Sequence, residues 1–557
     1  MRTNSGLFFG GLIQLAFIVT LAVLLLYAAY FRAGTDISLQ QIGQWGINSF
    51  TGVSGFFVLI VLWSIRGSER FSNRLRQHGI MLISLLCLSA LLLQHLLQGS
   101  TAVTLFDVAT VLLIAFLFAV ELNVFQQGMV SRFQQAKASA SYKTMRPAIF
   151  LFLFGIDLSM SFIPLHMEQL PQFLQGVSAD LLIGLPISVE FLFVGIAILI
   201  CGVWLDRSGW RQPFYTGLIV TGVGALYSWL ATDAINFILS RGVLGFGYGL
   251  TLLASQGFVI RQTDNTNKAR GLAHLFAGLY SGSICGAATG AVMAEHFGYS
   301  MVFLCGGVII FTVVFYGILV LREESASEKV IAESTPAVSS ETQPTTAEVP
   351  KAGVLAFLLD RRVLAATLFS SMPASIAVVG FLNYFSPIYL NRSGSSESEI
   401  GQVLMLFGVI LALFGPAIGR FADHCTCKRI PIMMGCVLGS AAFMVFYLFS
   451  GVMAVTVAIL MLGLSNCLVL SAQSAFVLKQ DVTISFGEGK AMGIFRSSSR
   501  IGQMLGPMIF AGLILSVDVE HSVMLFGVGY LITAVLFWWL SDTKKGVSQP
   551  SMSKEGA

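Results

Sequence analysis

Long apolar runs, joined by short polar connections, fill most of the 557-residue chain and constrain its fold more than any other feature. The run that begins at Leu12, LIQLAFIVTLAVLLLYAAYF, is long enough to cross the ~30 Å hydrocarbon core of a bilayer unaided. Only 11% of the residues are charged, against about 25% in a soluble domain. The chain is therefore predicted to be a polytopic membrane protein, and its composition excludes a water-soluble enzyme.

Hydropathy over windows of about 19 residues predicts about sixteen transmembrane helices. They lie near 7–31, 47–65, 79–97, 103–125, 147–170, 178–203, 213–232, 235–260, 270–293, 298–321, 363–390, 400–421, 430–450, 452–478, 490–516 and 521–540. Lys and Arg cluster in every second connection, whereas the connections between hold only Arg32 and Arg392. By the positive-inside rule, this alternation predicts an even number of helices with both termini in the cytoplasm.

Residues 322–360 are rich in Ser, Thr, Glu and Pro and are predicted to be a flexible cytoplasmic linker, because they cannot bury enough apolar surface to fold. The linker divides the last twelve helices into two groups of six. Short sequences recur between these groups about 220 residues apart. The pairs are GVWLD (202–206) with GRFAD (419–423), FVIRQ (258–262) with FVLKQ (476–480), and KARG (268–271) with KAMG (490–493). The recurrence indicates a duplicated six-helix unit, which places a substrate site between the halves.

The segment GVWLDRSGWRQ, residues 202–212, gathers charge at a helix end in a chain that otherwise avoids it. It is similar to the pattern G-x-L-x-D-R-x-G-R-R/K of the major facilitator superfamily, which residues 146–541 resemble. The matching residues are Gly202, Asp206, Arg207, Gly209 and Arg211, and the second copy keeps Gly419 and Asp423. The resemblance implies two six-helix bundles and secondary transport by alternating access.

Two further segments carry the resemblance. In LSRGVLGFGYG (239–249), Arg241, Gly245 and Gly247 match the family's R-x-x-x-G-x-G segment of the fourth transporter helix. In GSICGAATG (282–290), the chain resembles the G-P-x-x-G-G segment of drug/proton antiporters, with Ser283 in the place of Pro and Ala287 in the place of the last Gly. These segments favour an exporter over an importer.

The GVWLDRSGWRQ segment has two interpretations. It is either a solvated turn or a cytoplasmic gate, in which Asp206 and Asp423 meet basic residues or the positive N-terminal end of a facing helix. The helix that starts near Lys490, with Arg496 one turn in, is the expected docking point for Asp206. A latch of about 1–3 kcal/mol would suit an equilibrium that must move in both directions. The predicted gate residues are Gly202, Asp206, Arg207, Gly209, Arg211, Gly419 and Asp423.

Ionisable residues inside predicted helices are the main candidates for function. Asp157, Glu190 and Arg241 lie in the first half, and Arg500, with Arg496 one turn earlier, lies in the second. Each would cost about 2.5–3.5 kcal/mol or more if it faced lipid, so each is expected to face protein or a water-filled cavity. One interpretation is that Asp157 or Glu190 simply neutralises Arg241. The other is that both carboxyl groups carry protons and Arg241 modulates them.

Other polar residues at similar depth are candidates for substrate contacts. Arg500 and Arg496 offer an anion contact, whereas Asn383, Gln473 and Asn466 can either orient a bound molecule or join helices by hydrogen bonds. No catalytic residue, cofactor or metal site is predicted, since Cys425 and Cys427 lack further ligands at suitable spacing. The nucleotide-binding pattern G-x-x-x-x-G-K-[ST] is absent from the sequence.

The sequence thus predicts an all-α polytopic membrane protein with the twelve-helix major facilitator fold, two six-helix bundles preceded by about four extra transmembrane helices. The predicted domains are the four-helix extension 1–145, bundles 146–321 and 361–541 around the linker 322–360, and a cytoplasmic tail 542–557. The extension is either a packed accessory bundle or a module that docks a protein partner.

The predicted function is proton-coupled export of small amphipathic molecules, in a bacterial inner membrane and without nucleic acid as a partner. Two alternatives stay open. The first is uptake or exchange of an organic anion, which Arg496 and Arg500 motivate. The second is a membrane sensor or scaffold that reuses a transporter fold.

Overall fold

The structure is a computed structural model that describes residues 114, 121, 142–171, 178–263, 268–321, 354–425, 427–486, 488–516 and 519–541. These residues form helices and connections, with no strand among them. Eight of the helices that they form are long and apolar enough to cross a membrane, which confirms the prediction of an all-α polytopic membrane protein. The first four predicted helices lie outside the described residues, apart from Ile114 and Glu121.

Between residues 142 and 321, the described residues form a first series of α-helices. These are α1 (Met145–Asp157), α2 (Ile163–Gln169), α3 (Ala179–Ser208), α4 (Arg211–Leu230), α5 (Ala234–Arg261), α6 (Lys268–Phe297) and α7 (Tyr299–Val320). Gly209 ends α3 and Gly298 precedes α7, with φ angles of 73° and 77°. Glycine adopts this left-handed backbone without the strain of a Cβ atom, so both helices end or begin sharply.

The described residues from 354 onward form a second series. These are α8 (Val354–Leu359), α9 (Arg361–Ala366), α10 (Met372–Ile376), α11 (Ser386–Arg392), α12 (Glu397–His424), α13 (Arg429–Met444), α14 (Gly451–Leu478), α15 (Asp481–Phe486), α16 (Glu488–Ser516) and α17 (Val519–Leu540). Two π-helical segments, Thr367–Ser371 and Ala377–Phe385, join α9, α10 and α11 into one membrane-length helix, Arg361–Arg392. The short α8 falls within the predicted linker.

Internal contacts divide the chain into two units. The first comprises Met1–Glu341 with Leu382–Ala412, and the second comprises Thr342–Phe381 with Leu413–Ala557. The outer part of the Arg361–Arg392 helix and the first half of α12 therefore pack with the first unit. The predicted bundle boundaries, which keep 361–541 together, stay a prediction.

We call the two ends of the helices in the first unit outer and cytoplasmic, after the topology that the sequence predicts. Residues 170–171, 178, 231–233 and 393–396, which lie between helices, define the predicted outer end, and residues 209–210 and 262–263 define the predicted cytoplasmic end.

A glycine stripe on α6 holds that helix against α1. A Cβ atom at Gly286 would lie 2.7 Å from the Phe154 carbonyl oxygen, and Cβ atoms at Gly282 and Gly290 would collide with the carbonyl oxygens of Phe150 and Leu158. Small residues at a spacing of four thus let the two backbones touch, as in close helix pairs of other membrane proteins. This contact fixes α6 beside the end of α1, where the candidate site begins.

Candidate proton-coupling site

The first transporter helix is broken in the middle. Helix α1 ends at Asp157, and α2 begins at Ile163 with Pro164 in its first turn, where a missing N–H costs nothing. The intervening residues form turns, in which the amide of Met160 donates to the Asp157 carbonyl oxygen at 3.1 Å. Irregular backbone at membrane depth is tolerated only where protein or a cavity surrounds it, and residues 158–162 are largely buried.

A buried ion pair lies beside this break. The Arg241 guanidinium donates twice to Glu190 Oε2, from Nε at 3.0 Å and from Nη2 at 2.5 Å. Its Nη1 donates to the Ser159 hydroxyl at 3.3 Å. Arg241 is 0% exposed and Glu190 is 1% exposed, so both charges are held away from lipid and water. Of the two carboxylates that the sequence offers, Glu190 is therefore the direct counter-ion of Arg241.

Gly245 makes this pairing possible. It lies four residues after Arg241 and thus on the same face of α5, where a Cβ atom would collide with the carbonyl oxygen of Glu190. The glycine lets the α3 backbone approach α5 closely enough for the two charged side chains to meet. The spacing that the sequence shares with the R-x-x-x-G segment thus has a direct structural reason.

Asp157 lies next to this pair without a direct hydrogen bond to its guanidinium. Its side chain is at the C-terminal end of α1 and is 9% exposed. The Ser283 hydroxyl of α6 is close enough to act on it as a hydrogen-bond partner, and Glu190 and Arg241 both lie within electrostatic range. The site therefore gathers two carboxyl groups around one cation. Ser283 is the residue that replaces proline in the antiporter-like segment.

His166 is a member of this neighbourhood that the sequence analysis missed. Its ring lies in an aromatic box, with centroids 4.8 Å from Phe237, 5.1 Å from Phe303 and 5.5 Å from Tyr299. Both ring nitrogens are buried and have no hydrogen-bond partner among the described residues. A lone histidine in an apolar run gives no periodic signal, so only the packing reveals it.

The predicted outer end of the first unit carries a second group of contacts that sequence reasoning did not find. Arg392 Nη2 lies 3.4 Å from Glu168 Oε1 and 3.6 Å from Asp180 Oδ1, and the Tyr384 hydroxyl donates to the Asp180 carbonyl oxygen at 2.7 Å. Arg392 is 48% exposed, so the ion pairs themselves add little stability. The buried tyrosine is the stronger link between the outer part of Arg361–Arg392 and α3.

The residues predicted to bind substrate are divided between the units. Asn383 belongs to the first unit and is partly buried, whereas the other four belong to the second. The Gln473 amide nitrogen donates to the Ser370 hydroxyl at 2.7 Å, and Arg500 Nη1 donates to Gln503 Oε1 at 2.7 Å. Asn466 and Arg500 are partly buried, and Arg496 is exposed. Their substrate contacts stay a prediction.

The predicted gate residues of the first copy lie at the cytoplasmic end of α3. Asp206 and Arg207 are exposed, and Gly202, Gly209 and Arg211 are partly exposed. The Arg261 Nη2 atom of α5 donates to the Leu205 carbonyl oxygen at 3.3 Å and so binds the end of α3, where unpaired carbonyl groups attract cations.

In the second copy of the gate segment, basic residues also donate to carbonyl oxygens at helix ends. Lys428 Nζ donates to the Ala422 carbonyl oxygen at 2.8 Å and caps α12, and Arg429 donates to the Trp538 carbonyl oxygen near the end of α17. A Cβ atom at Gly419 would meet open space, and the Asp423 side chain lies outside the described residues. The latch predicted for Asp206 stays a prediction.

Comparison with known proteins agrees with this architecture. The profile of the Major Facilitator Superfamily matches residues 145–480. The multidrug resistance protein MdtG of Klebsiella pneumoniae is 24% identical over 69% of this chain and 89% of its own length. The MdtG protein of Escherichia coli K12 is 22% identical over 72% of this chain and 94% of its own.

A solved structure shares the fold. A bacterial homologue of the human lysosomal transporter Spinster, solved in an inward-facing and occupied conformation, superposes with a TM-score of 0.57 at 13% identity. The match covers 72% of this chain and 96% of that one. The family profile leaves the first 144 residues unmatched. The chain is an integral membrane protein that belongs to the major facilitator superfamily of transporters.

Proposed function

We propose that the chain is a proton-coupled secondary transporter that works by alternating access and exports small amphipathic molecules. The observation that carries the proposal is the buried cluster of Asp157, Glu190 and Arg241. Two carboxyl groups lie near one guanidinium, which binds only Glu190 directly, so the cluster is neutral only when it holds one proton. A substrate with a positive or strongly polar group can replace that proton, which couples the movement of one to the movement of the other.

The two carboxyl groups take different parts in this proposal. Glu190 holds Arg241 through two hydrogen bonds, so its negative charge is needed to keep a buried cation paired. Asp157 contacts a hydroxyl group instead, so a proton can leave or return without breaking an ion pair. Both are proposed proton carriers, with Asp157 as the group that exchanges and Arg241 as the modulator.

The direction of transport rests on other support. Relatives over most of the chain are named multidrug resistance proteins, and the segment around Ser283 resembles that of drug/proton antiporters. These features support export of amphipathic compounds. We place the protein in a bacterial inner membrane, with both termini in the cytoplasm. Arg496, Arg500, Asn383, Gln473 and Asn466 remain candidates for the substrate side, and the N-terminal extension remains a candidate for docking a protein partner.

The test is proton flux in liposomes that contain the purified protein. Gradients of lipophilic cations, neutral amphiphiles and organic anions are imposed in turn on wild type, Asp157→Asn and Glu190→Gln. Asp233→Asn is the matched control, since Asp233 caps α5 outside the cluster through the amide of Asn236 and asparagine caps as well as aspartate.

We expect at least one cation or neutral amphiphile to drive proton movement in wild type and in Asp233→Asn. Asp157→Asn should abolish that movement while compound binding persists. Proton movement driven only by organic anions would favour the uptake or exchange alternative. If compounds bind but none moves protons in wild type, the carboxyl groups only neutralise Arg241, and the sensor or scaffold alternative gains support.

A further inference from the structure

A second buried ion pair lies about three helical turns before Asp157 along α1. Glu121, which belongs to the predicted helix 103–125 of the N-terminal extension, accepts hydrogen bonds from Arg146 in the first turn of α1. Arg146 Nε lies 2.8 Å from Glu121 Oε1 and 3.1 Å from Oε2, and Nη2 lies 2.5 Å from Oε1. Only 4% of the Glu121 side chain and 13% of the Arg146 side chain are exposed. The pair therefore joins the extension to the transporter inside the protein.

Helix α6 completes the surroundings of this pair. Arg146 Nη1 donates to His274 Nδ1 at 3.3 Å, and the His274 ring packs edge-on against Tyr142, with centroids 6.2 Å apart. A Cβ atom at Gly278, one turn after His274, would lie 2.7 Å from the Arg146 carbonyl oxygen. The glycine lets α6 approach the first turn of α1, so the arginine that binds Glu121 is held between both helices.

The charges at the predicted cytoplasmic end of the first unit favour an acidic partner. Among the described residues, the transporter contributes one acidic residue there, the exposed Asp206. Its basic residues at this end are Lys143, Arg146, Arg207, Arg211, Arg261, Lys268 and Arg270. The carboxylate that binds Arg146 comes from the extension instead. A buried guanidinium without a counter-ion is unfavourable, so the transporter depends on the extension for the charge balance of Arg146.

The burial of Ile114 extends the contact along the same predicted helix. Ile114 and Glu121 are both helical and both buried, and they lie two helical turns apart, on one face. Other parts of the chain must cover this face, since it hides an apolar and a charged side chain alike. Both residues belong to the first unit.

We propose that the face of the predicted helix 103–125 that carries Ile114 and Glu121 docks on the cytoplasmic ends of α1 and α6, with the Glu121–Arg146 pair as its main polar contact. The extension is then an accessory bundle fixed to the first bundle, and it holds α1 and α6 together at one end, as the glycine stripe does along their length. A protein partner of the extension would bind another of its faces. This docking does not rest on the proposed function.

The test is retention of the extension after the chain is cut. A protease site is inserted in the predicted connection 126–141 of the full-length protein, which carries an affinity tag at its C-terminus, and the purified protein is cut in detergent. We expect the extension to stay with the tagged transporter in wild type and in Glu168→Lys, the control that breaks an exposed pair of the same unit. Glu121→Lys places two cations together at a buried site and should release most of the extension.

Exchange of the two charges distinguishes docking from a general failure to fold. Glu121→Arg combined with Arg146→Glu restores the pair with reversed charges, and His274 can donate to the new carboxylate from its other tautomer, so retention should recover. Glu121→Gln, which keeps the shape and removes the charge, replaces Glu121→Lys if that variant does not fold, and it should also release more extension than wild type. Loss of the extension from cut wild type, or retention in both Glu121 variants equal to that of wild type, would overturn the proposal. The assay needs no transport, so a failure of proton coupling would leave its result unchanged.

Discussion

The two halves of the transporter use opposite chemistry at their centres. In the first half, the leading helix breaks after Asp157, and a fully buried arginine holds a glutamate beside the break. In the second half, the leading helix Arg361–Arg392 continues without a break, and it carries a buried neutral contact in which Gln473 donates to Ser370. The sequence predicts that the halves are copies of one six-helix unit, and on that prediction the copies have diverged, with ionisable groups in one and amide and hydroxyl groups in the other.

The difference suits the roles that we propose for the two halves. A proton carrier must sit where a charge can appear and disappear, which needs a compensating cation and an irregular backbone enclosed by protein. A surface that binds varied amphipathic molecules needs adaptable neutral groups instead. The buried charged residues described in the second unit, Lys428 and Arg429, lie at helix ends and bind carbonyl groups there.

The largest expected effect comes from removing the buried cation. Arg241→Leu leaves Glu190 buried without its partner, and loss of one member of a buried pair costs about 3–5 kcal/mol. Thermal unfolding in detergent should therefore show a large loss of stability, and Arg241→Leu combined with Glu190→Leu should recover most of it. If the double variant were as unstable as the single one, the charge pair would not be the source of the loss.

A smaller effect is expected from the glycine that brings α3 and α5 together. Gly245→Ala places a Cβ atom against the Glu190 backbone, and overpacking of this kind costs about 1–3 kcal/mol. Gly529→Ala on α17 is the matched control, because a Cβ atom there meets open space. Unfolding temperatures of the two variants should separate clearly. Equal stability would mean that the close approach of α3 and α5 is not needed.

In the second half, Gln473→Leu should act on substrate rather than on protons. It leaves the Ser370 hydroxyl without its amide partner, which costs about 1–3 kcal/mol, less than the loss of Arg241. Transport assays with several compounds should show a changed order of preference, while the number of protons moved per molecule stays that of wild type. A change in the number of protons moved per molecule would contradict the proposal that the second half acts on substrate alone.

The smallest effect is expected at the helix start outside both centres. The pKa of Asp233 is lowered, first by the hydrogen bond from the Asn236 amide. A carboxyl group with a lowered pKa stabilises the fold above its unfolded pKa, near 3.9, and loses that contribution as pH falls through the folded value. The difference in unfolding temperature between wild type and Asp233→Asn should therefore be small at pH 7 and vanish in acid. A difference that persists in acid would contradict the cap as its source.

The sequence predicted most of the helices because each is a long apolar run. It did not predict the break at residues 158–162, since Ser159 and Ser161 interrupt that run too weakly to change its hydropathy. It placed Asp157, Glu190 and Arg241 in the first half but left open which carboxylate pairs with the arginine. The pairing depends on how closely the α3 backbone approaches α5. The Gly245 contact sets that approach, and no local sequence pattern reveals it.

The contacts between distant segments were also beyond sequence reasoning. Tyr384 and Arg392 meet Asp180 across about 200 residues of chain, and the rings around His166 come from two other helices, α5 and α7. Neither set of contacts produces a periodic pattern in the sequence. The two π-helical segments of Arg361–Arg392 were equally hidden, because an extra residue per turn does not alter the apolar character of the run.

The central claim is that Asp157 exchanges a proton for substrate within a cluster that one proton neutralises. The most direct measurement is proton release from purified protein in unbuffered detergent solution when a transported compound binds. We expect about one proton per protein from wild type and from Asp233→Asn, and none from Asp157→Asn even at saturating compound. Undiminished proton release from Asp157→Asn would contradict the claim and assign the exchange to another group.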